Sequence, residues 1–248
     1  MYLAIKGTKV DGHRFIGQAI SLGAQSIMCE TLPKTLAPGV VFIKVSDTRE
    51  AFAWAASNFY DNPSNQLKLI GITGTNGKTS ITTLLFELLN IQQFSAGLIS
   101  TVAIQYSDNQ FTATHTTPDS MTINKHLRAM VARGIEYCFM EVSSHGIHQK
   151  RITGLEFKGA IFTNLTHDHL DYHDTFIAYR DTKKNLFDTL TDNAFALVNS
   201  DDNNAKVMVQ NCKAKTYTYS LHRNSDYSAQ VLESQFKGML LKINQHEI

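Results

Sequence analysis

The chain has 248 residues, 43% of them hydrophobic, and 23 Lys plus Arg against 22 Asp plus Glu leave a formal charge of +1. That balance excludes a protein whose main work is neutralising nucleic-acid phosphates, while leaving room for a local cationic site for a small phosphorylated ligand. No run of about 18 apolar residues suggests a membrane span, the N-terminus lacks the apolar stretch of a secretory signal, and Cys29, Cys138 and Cys212 lie far apart, so a cytoplasmic chain with reduced thiols is expected.

The first sixty residues read β-α-β-β-α. Residues 2–6 form a short strand, and residues 12–23 carry Phe15, Ile16, Ala19, Ile20 and Leu22 at helical spacing until Gly23 stops them. Buried strands follow at 27–29 and 40–43, then a helix over 48–60 with Ala, Phe and Trp54 on one face. The polar, turn-rich stretch 61–66 breaks the pattern and marks a domain boundary, giving domains 1–64 and 65–248. Beyond it, strands at 67–72, 96–100, 137–142, 160–163 and 195–199 alternate with helices at 79–89, 121–133 and 176–190. Short apolar strands alternating with helices make an α/β fold with a doubly wound, mostly parallel sheet, whose ligands sit outside the strands' carboxyl ends. Residues 225–243 read as a β-meander.

The sharpest motif is Thr73-Gly74-Thr75-Asn76-Gly77-Lys78-Thr79-Ser80, which follows a buried strand and opens a helix. Glycines let successive backbone N–H groups turn toward phosphate oxygens, the helix start adds its positive end, and Lys78 adds a full charge. The hydroxyl of Thr79 stands where such loops ligate Mg²⁺. The general P-loop spacing asks for glycine where this chain has Ile72; it carries instead the tighter Gly74-x-x-Gly77-Lys78-Thr79. A mononucleotide site over Gly74, Thr75, Asn76, Gly77, Lys78, Thr79 and Ser80 is expected.

This loop resembles that of the Mur ligases and folylpolyglutamate synthetases. His115-Thr116-Thr117-Pro118-Asp119, Glu141-Val142-Ser143-Ser144-His145-Gly146 and Asn164-Leu165-Thr166-His167-Asp168-His169-Leu170-Asp171-Tyr172-His173 are similar to the MurE type of that family, and Lys6-Gly7-Thr8 with Asp11-Gly12-His13 resembles its UDP-binding domain. The resemblance implies an incomplete N-terminal UDP-binding domain, a central P-loop-type ATP-binding domain also incomplete at its end, and a C-terminal amino-acid-binding domain lying beyond Ile248. It implies an ATP- and Mg²⁺-dependent ligase adding diaminopimelate or lysine to UDP-MurNAc-L-Ala-D-Glu. The full-length enzyme is expected to be monomeric, working on small molecules with no nucleic-acid or membrane partner, and this span alone to be inactive.

Amide formation from a carboxylate needs activation, which in the family this chain resembles comes from attack on the γ-phosphate of ATP to give an acyl phosphate that an amine displaces. Two anions must be aligned, so cations and metal are required. By resemblance, Thr79 and Glu141 hold one Mg²⁺ and His169 helps bind a second. Lys183 is the lysine that this family carbamylates, and Lys78, Lys183 and His169 are the catalytic set. Carbamylation needs a neutral amine and hence a lowered lysine pKa, and Lys184 serves as a control because one helical step turns a side chain by about 100°. Thr116, Thr117, Ser143, Gln149 and Arg151 match substrate-contact positions. For His167 and His173 a structural role competes with a catalytic one, and Asn164 faces the same strand edge. A two-metal hydrolase reading of the histidine cluster fails on register, since Tyr172 separates Asp171 from His173, and it gives Lys78 no work.

Overall fold

The computed structural model describes residues 1–7, 10–168, 170–235, 238–243 and 246–247. Its first unit holds β1 (Tyr2–Leu3), α1 (Ile16–Ser21), β2 (Ser26–Cys29), β3 (Val41–Lys44) and α2 (Thr48–Phe59). The three strands form one parallel sheet in the order β1-β2-β3. The expected 2–6 strand stops at Leu3, and Lys6 meets Asp11 in an isolated bridge. The expected 12–23 helix splits, because Asp11 caps a single 3-10 turn over Gly12–Phe15 before α1 begins. A second correction concerns α2. Its buried face is built from Thr48, Ala53, Ala56 and Ser57, while Trp54 is half exposed and lies over Gly154. Small side chains on that face let α2 pack closely on the second unit, where Ser57 Oγ donates to the Gly154 carbonyl at 3.2 Å.

After a 3-10 turn at Pro63–Asn65 the second unit begins. It runs β4 (Lys68–Thr73), α3 (Lys78–Ile91), β5 (Ala96–Ile99), β6 (Ile104–Tyr106), β7 (Asn109–Phe111), α4 (Ser120–Ala132), β8 (Tyr137–Glu141), α5 (Ser144–His148) and β9 (Gly159–Phe162). Then come α6 (Leu170–His173), α7 (Phe176–Asp188), β10 (Phe195–Asn199), α8 (Ala205–Met208), β11 (Lys215–Ser220), β12 (Tyr227–Gln235), β13 (Gly238–Ile243) and β14 (His246–Glu247). The sheet order is β14-β13-β12-β11-β10-β9-β4-β8-β5-β6-β7. Its middle, β11 through β5, is parallel throughout, and antiparallel strands finish both edges.

Alternation along the central strands sends side chains to two cores. Leu69, Cys138, Met140, Ala160 and Phe162 face one, with α4 and α7; Ile70, Ile72, Phe139 and Ile161 face the other, with Phe86 of α3. The sheet is therefore wound on both faces. The chain leaves β4 toward β5 on one side and leaves β9 toward β10 on the other, so the crevice between β4 and β9 is where the winding reverses. Ligands of such sheets bind outside the carboxyl ends at this place.

The edge hairpin β6–β7 and the strand β11 are additions to the sequence reading. The short helices α5, α6 and α8 and the strand β14 are additions too, while the remaining second-unit strands and helices up to β10 differ from that reading by one or two residues at their ends at most, α3 starting at Lys78 and α7 ending at Asp188.

Candidate functional site

The site is assembled from the ends of β4, β8, β5 and β9. Backbone freedom at two glycines shapes the loop after β4, with Gly74 at φ 149° and Gly77 at φ 85°. A Cβ on Gly74 would stand 1.9 Å from Thr163 Oγ1 and 2.9 Å from the Asn164 carbonyl. No side chain but hydrogen fits there. The loop is tied to the segment after β9 by Thr75 N to Asn164 O (2.8 Å), Asn76 N to Asn164 Oδ1 (3.0 Å) and Thr163 Oγ1 to Asn76 O (2.7 Å). Thr75 Oγ1 also accepts from Thr166 N at 2.9 Å and lies 3.2 Å from the Tyr179 hydroxyl.

Helices α2, α4 and α7 begin with Asp47, Asp119 and Thr175, whose side chains accept from the first-turn N–H groups. Helix α3 begins with Gly77 and has no such cap. Its first N–H groups therefore have no side-chain cap, and a helix start of this kind after a glycine-rich loop is able to receive a phosphate.

Two lysines converge on this loop. Lys78 Nζ donates to the carbonyls of Gly74 (3.0 Å) and Thr75 (2.8 Å), and Lys183 Nζ donates to the same Gly74 carbonyl at 2.8 Å. Lys183 is 1% exposed and its ammonium lies 4.7 Å from the Tyr179 ring centroid. Burial, reinforced by the neighbouring Lys78 charge, pushes the Lys183 ammonium well below the usual lysine range, with Asp168 opposing. Burial also lowers Lys78, against the attraction of Glu141 and Asp168. The desolvation cost of a charge is several kcal/mol. Helix α7 offsets it by burying Tyr179, Leu186 and Phe187 completely, at about 1.5–3 kcal/mol for each large apolar side chain. Lys184, one step round α7, turns away and pairs with Asp188 at 2.5 Å.

Glu141 ends β8 directly beside Ile72 of β4, fully buried. Its Oε1 accepts from Thr101 N at 2.7 Å, and its Oε2 from Thr101 Oγ1 at 3.3 Å. Among the described residues no ion pair engages it. Thr101 Oγ1 reaches Thr116 Oγ1 at 3.1 Å, and Thr117 Oγ1 donates to the Glu141 carbonyl at 2.9 Å while accepting from Ser143 N at 2.9 Å. Arg151 donates to Thr117 O (2.6 Å) and to Gln149 Oε1 through Nε (3.2 Å) and Nη2 (2.7 Å).

The structure thus gathers Gly74, Thr75, Asn76, Gly77, Lys78, Thr79 and Ser80 with Glu141 and Lys183 at one strand edge, and links Thr116, Thr117, Ser143, Gln149 and Arg151 into one strip beside Glu141. His169 lies outside the described residues. His115 is exposed, 3.2 Å from Thr114 Oγ1; His167 stacks on Phe176 with ring centroids 4.8 Å apart; His173 is buried against Tyr179 at 5.3 Å. Among the described residues no group of three His, Cys, Asp or Glu side chains is arranged for a metal. Sequence reasoning missed Thr101, Thr163, Tyr172 and Tyr179. Thr101 and Thr163 each stand just past an apolar strand, and Tyr179 precedes Lys183 by one helical turn, which is the signal that could have found them.

Comparison with known proteins identifies the family. The profile of the Mur ligase middle domain matches residues 72–248, and that of the Mur ligase family catalytic domain matches residues 1–60. The UDP-N-acetylmuramoyl-L-alanyl-D-glutamate--2,6-diaminopimelate ligase of Bacteroides fragilis is 52% identical over 248 residues, all of this chain and 51% of that protein. Its counterpart in Clostridium tetani is 40% identical over 257 residues, covering 99% of this chain and 52% of that one. A solved structure of a ligase with the same name superposes with a TM-score of 0.82 at 27% identity, over 99% of this chain and 51% of that chain. MurF ligase from Thermotoga maritima in complex with ADP shares the fold, with a TM-score of 0.62 at 19% identity over 99% of this chain and 53% of that one. The chain spans about half the length of the curated relatives it matches. By its match to the Mur ligase middle-domain profile over residues 72–248 and to the catalytic-domain profile over residues 1–60, this chain belongs to the Mur ligase family.

Proposed function

We propose that this chain is the nucleotide- and sugar-peptide-binding part of a cytoplasmic, ATP-dependent ligase of the MurE type. In that reading it joins the third amino acid, diaminopimelate by the names of its relatives, to UDP-MurNAc-L-Ala-D-Glu through an acyl phosphate. Residues 1–64 belong to the UDP-binding domain and residues 65–248 to the ATP-binding domain. The observation that carries the reading is the convergence of Lys78 and Lys183 on the Gly74 carbonyl, beside an uncapped helix start and with the buried Glu141 carboxylate one strand away.

In this scheme the N–H groups of residues 75–79 grip the β- and γ-phosphates, and Lys78 leaves the two loop carbonyls to bridge them. Glu141 fits a hard divalent cation, being a fully buried carboxylate bonded only to the neutral Thr101 among the described residues. With the Thr79 hydroxyl it would hold Mg²⁺, which when bound neutralises the phosphates as charge shifts toward the leaving group. Burial lowers the proton affinity of Lys183, which favours the neutral amine that CO₂ requires, and as a carbamate it would be an anion able to hold a second metal together with His169. Thr116, Thr117, Ser143, Gln149 and Arg151 hold the peptide end of the substrate so that its carboxylate meets the γ-phosphate.

The test is calorimetric titration of this chain with a non-hydrolysable ATP analogue and Mg²⁺, then with UDP-MurNAc-L-Ala-D-Glu. Micromolar binding of both, with the nucleotide lost in Lys78→Ala, is the expected result. Nucleotide binding that is unchanged by Lys78→Ala overturns the reading.

A further inference from the structure

We propose that Tyr172 is a positioning residue that orients the Gln149 amide, and through it the Arg151 guanidinium, for a carboxylate of the peptide substrate. This rests on the sugar-peptide reading of the strip beside Glu141.

The Tyr172 hydroxyl accepts from Gln149 Nε2 at 3.2 Å and lies 2.9 Å from His148 Nδ1. The opposite end of the same amide, Gln149 Oε1, accepts from Nε and Nη2 of Arg151. A primary amide has one donor end and one acceptor end. The donor-only guanidinium selects the oxygen end, and the Tyr172 hydroxyl accepts from the NH₂ end, so the amide is anchored at both ends. Rotation of the amide by half a turn would set NH₂ against the Arg151 N–H groups, donor to donor, and the Tyr172 hydroxyl supplies the second anchor that holds the amide in place. Donation then runs one way, from Arg151 to Gln149 to Tyr172, and onward to His148 when its Nδ1 accepts.

The same bonds decide what Arg151 can still offer. Of five N–H groups, Nε and one on Nη2 go to Gln149 and one on Nη1 goes to Thr117 O. One remains on each terminal nitrogen, the pair with which arginine grips a carboxylate in a fork. The ring of Tyr172 is itself held, 4.0 Å centroid to centroid from His145 and tilted by 36°. Its helix, α6, follows the segment whose Thr166 N donates to Thr75 in the phosphate loop. Tyr172 thus reaches from the nucleotide side of the crevice to the substrate strip, and among the described residues its hydroxyl meets Gln149 and His148 but no residue of the phosphate loop.

Tyr172→Phe removes the hydroxyl and keeps the ring. In titrations of this chain, affinity for UDP-MurNAc-L-Ala-D-Glu is expected to fall by about 3- to 10-fold, the range of one net hydrogen bond. Affinity for an analogue with its peptide carboxylates amidated, and for ADP, is expected to stay within about twofold, because neither uses the oriented fork. In a Gln149→Ala background the substitution is expected to change nothing further, since the group through which it acts is gone. Unchanged dipeptide affinity in Tyr172→Phe, equal losses for dipeptide and ADP, or an undiminished effect in Gln149→Ala would each overturn the proposal while leaving the ligase reading standing. A wild-type chain that binds nucleotide but not the dipeptide overturns both.

Discussion

Replacing Gly74 by alanine tests whether the phosphate loop is held in shape by its contact with the segment after β9. The residue sits at φ 149°, where an L side chain is strained by about 1–3 kcal/mol. Its new Cβ would also lie 1.9 Å from Thr163 Oγ1. Thr163 must then move by more than an ångström and give up its 2.7 Å bond to the Asn76 carbonyl, a loss of about 1 kcal/mol. Together these come to about 2–4 kcal/mol, which for a chain of this size lowers the melting midpoint by about 5–15 °C. Nucleotide affinity should fall by more than about tenfold, since displacement of the Thr75 and Asn76 N–H groups takes away over 1.4 kcal/mol of phosphate contact. Thermal melts and calorimetry read both effects. In Gly74→Ala/Thr163→Ala the clash is gone but the backbone strain stays, so the double variant should be less damaged than the sum of the single ones. A Gly74→Ala chain that melts and binds like wild type, or strictly additive losses in the pair, would refute the reasoning.

Three further outcomes are expected. Glu141→Gln keeps an acceptor for Thr101 N but removes the charge; the melting midpoint should hardly move, while the Mg²⁺ concentration needed for nucleotide binding rises by about tenfold or more, equivalent to at least 1.4 kcal/mol. Because Lys183 has a native proton affinity well below that of an unfolded lysine, the unfolded chain binds more protons between the lowered pKa and about 10.5, so stability should rise with pH across that window. Urea melts at several pH values should show part of that rise missing in Lys183→Met, which at neutral pH should be more stable than wild type by on the order of 1 kcal/mol. Lys184→Ala breaks only the pair with Asp188, costs about 1 kcal/mol or less, and should leave nucleotide titrations unchanged.

The central sheet was legible because its strands are short apolar runs and its helices keep one apolar face, and β10 was placed to the residue. The hairpin β6–β7 was not, since Ile104–Tyr106 and Asn109–Phe111 are three residues each and are defined by pairing of β6 with β5 and of β7 with β6 rather than by their own pattern. On α2 the periodicity of large residues pointed to Trp54, whereas close packing selected Ala53 and Ala56. Small residues leave a weak hydrophobic signal even where they are fully buried. The phosphate loop was readable from its glycines and its place after a strand. Its partners Thr163 and Thr101 were not, because a threonine after a strand is common and its meaning lies in which strands become neighbours. The contrast of Lys183 with Lys184 was drawn from the resemblance and one helical step, whereas the bonds from Tyr172 to Arg151 needed side-chain geometry that no spacing rule conveys.

The most direct measurement is a crystal structure of this chain with a non-hydrolysable ATP analogue and Mg²⁺. The expected result has the β- and γ-phosphates against the N–H groups of residues 75–79, Lys78 Nζ moved from the Gly74 carbonyl onto a phosphate oxygen, and a metal at about 2.1 Å from the Glu141 carboxylate. A nucleotide bound away from this loop, or a metal held without Glu141, would contradict it.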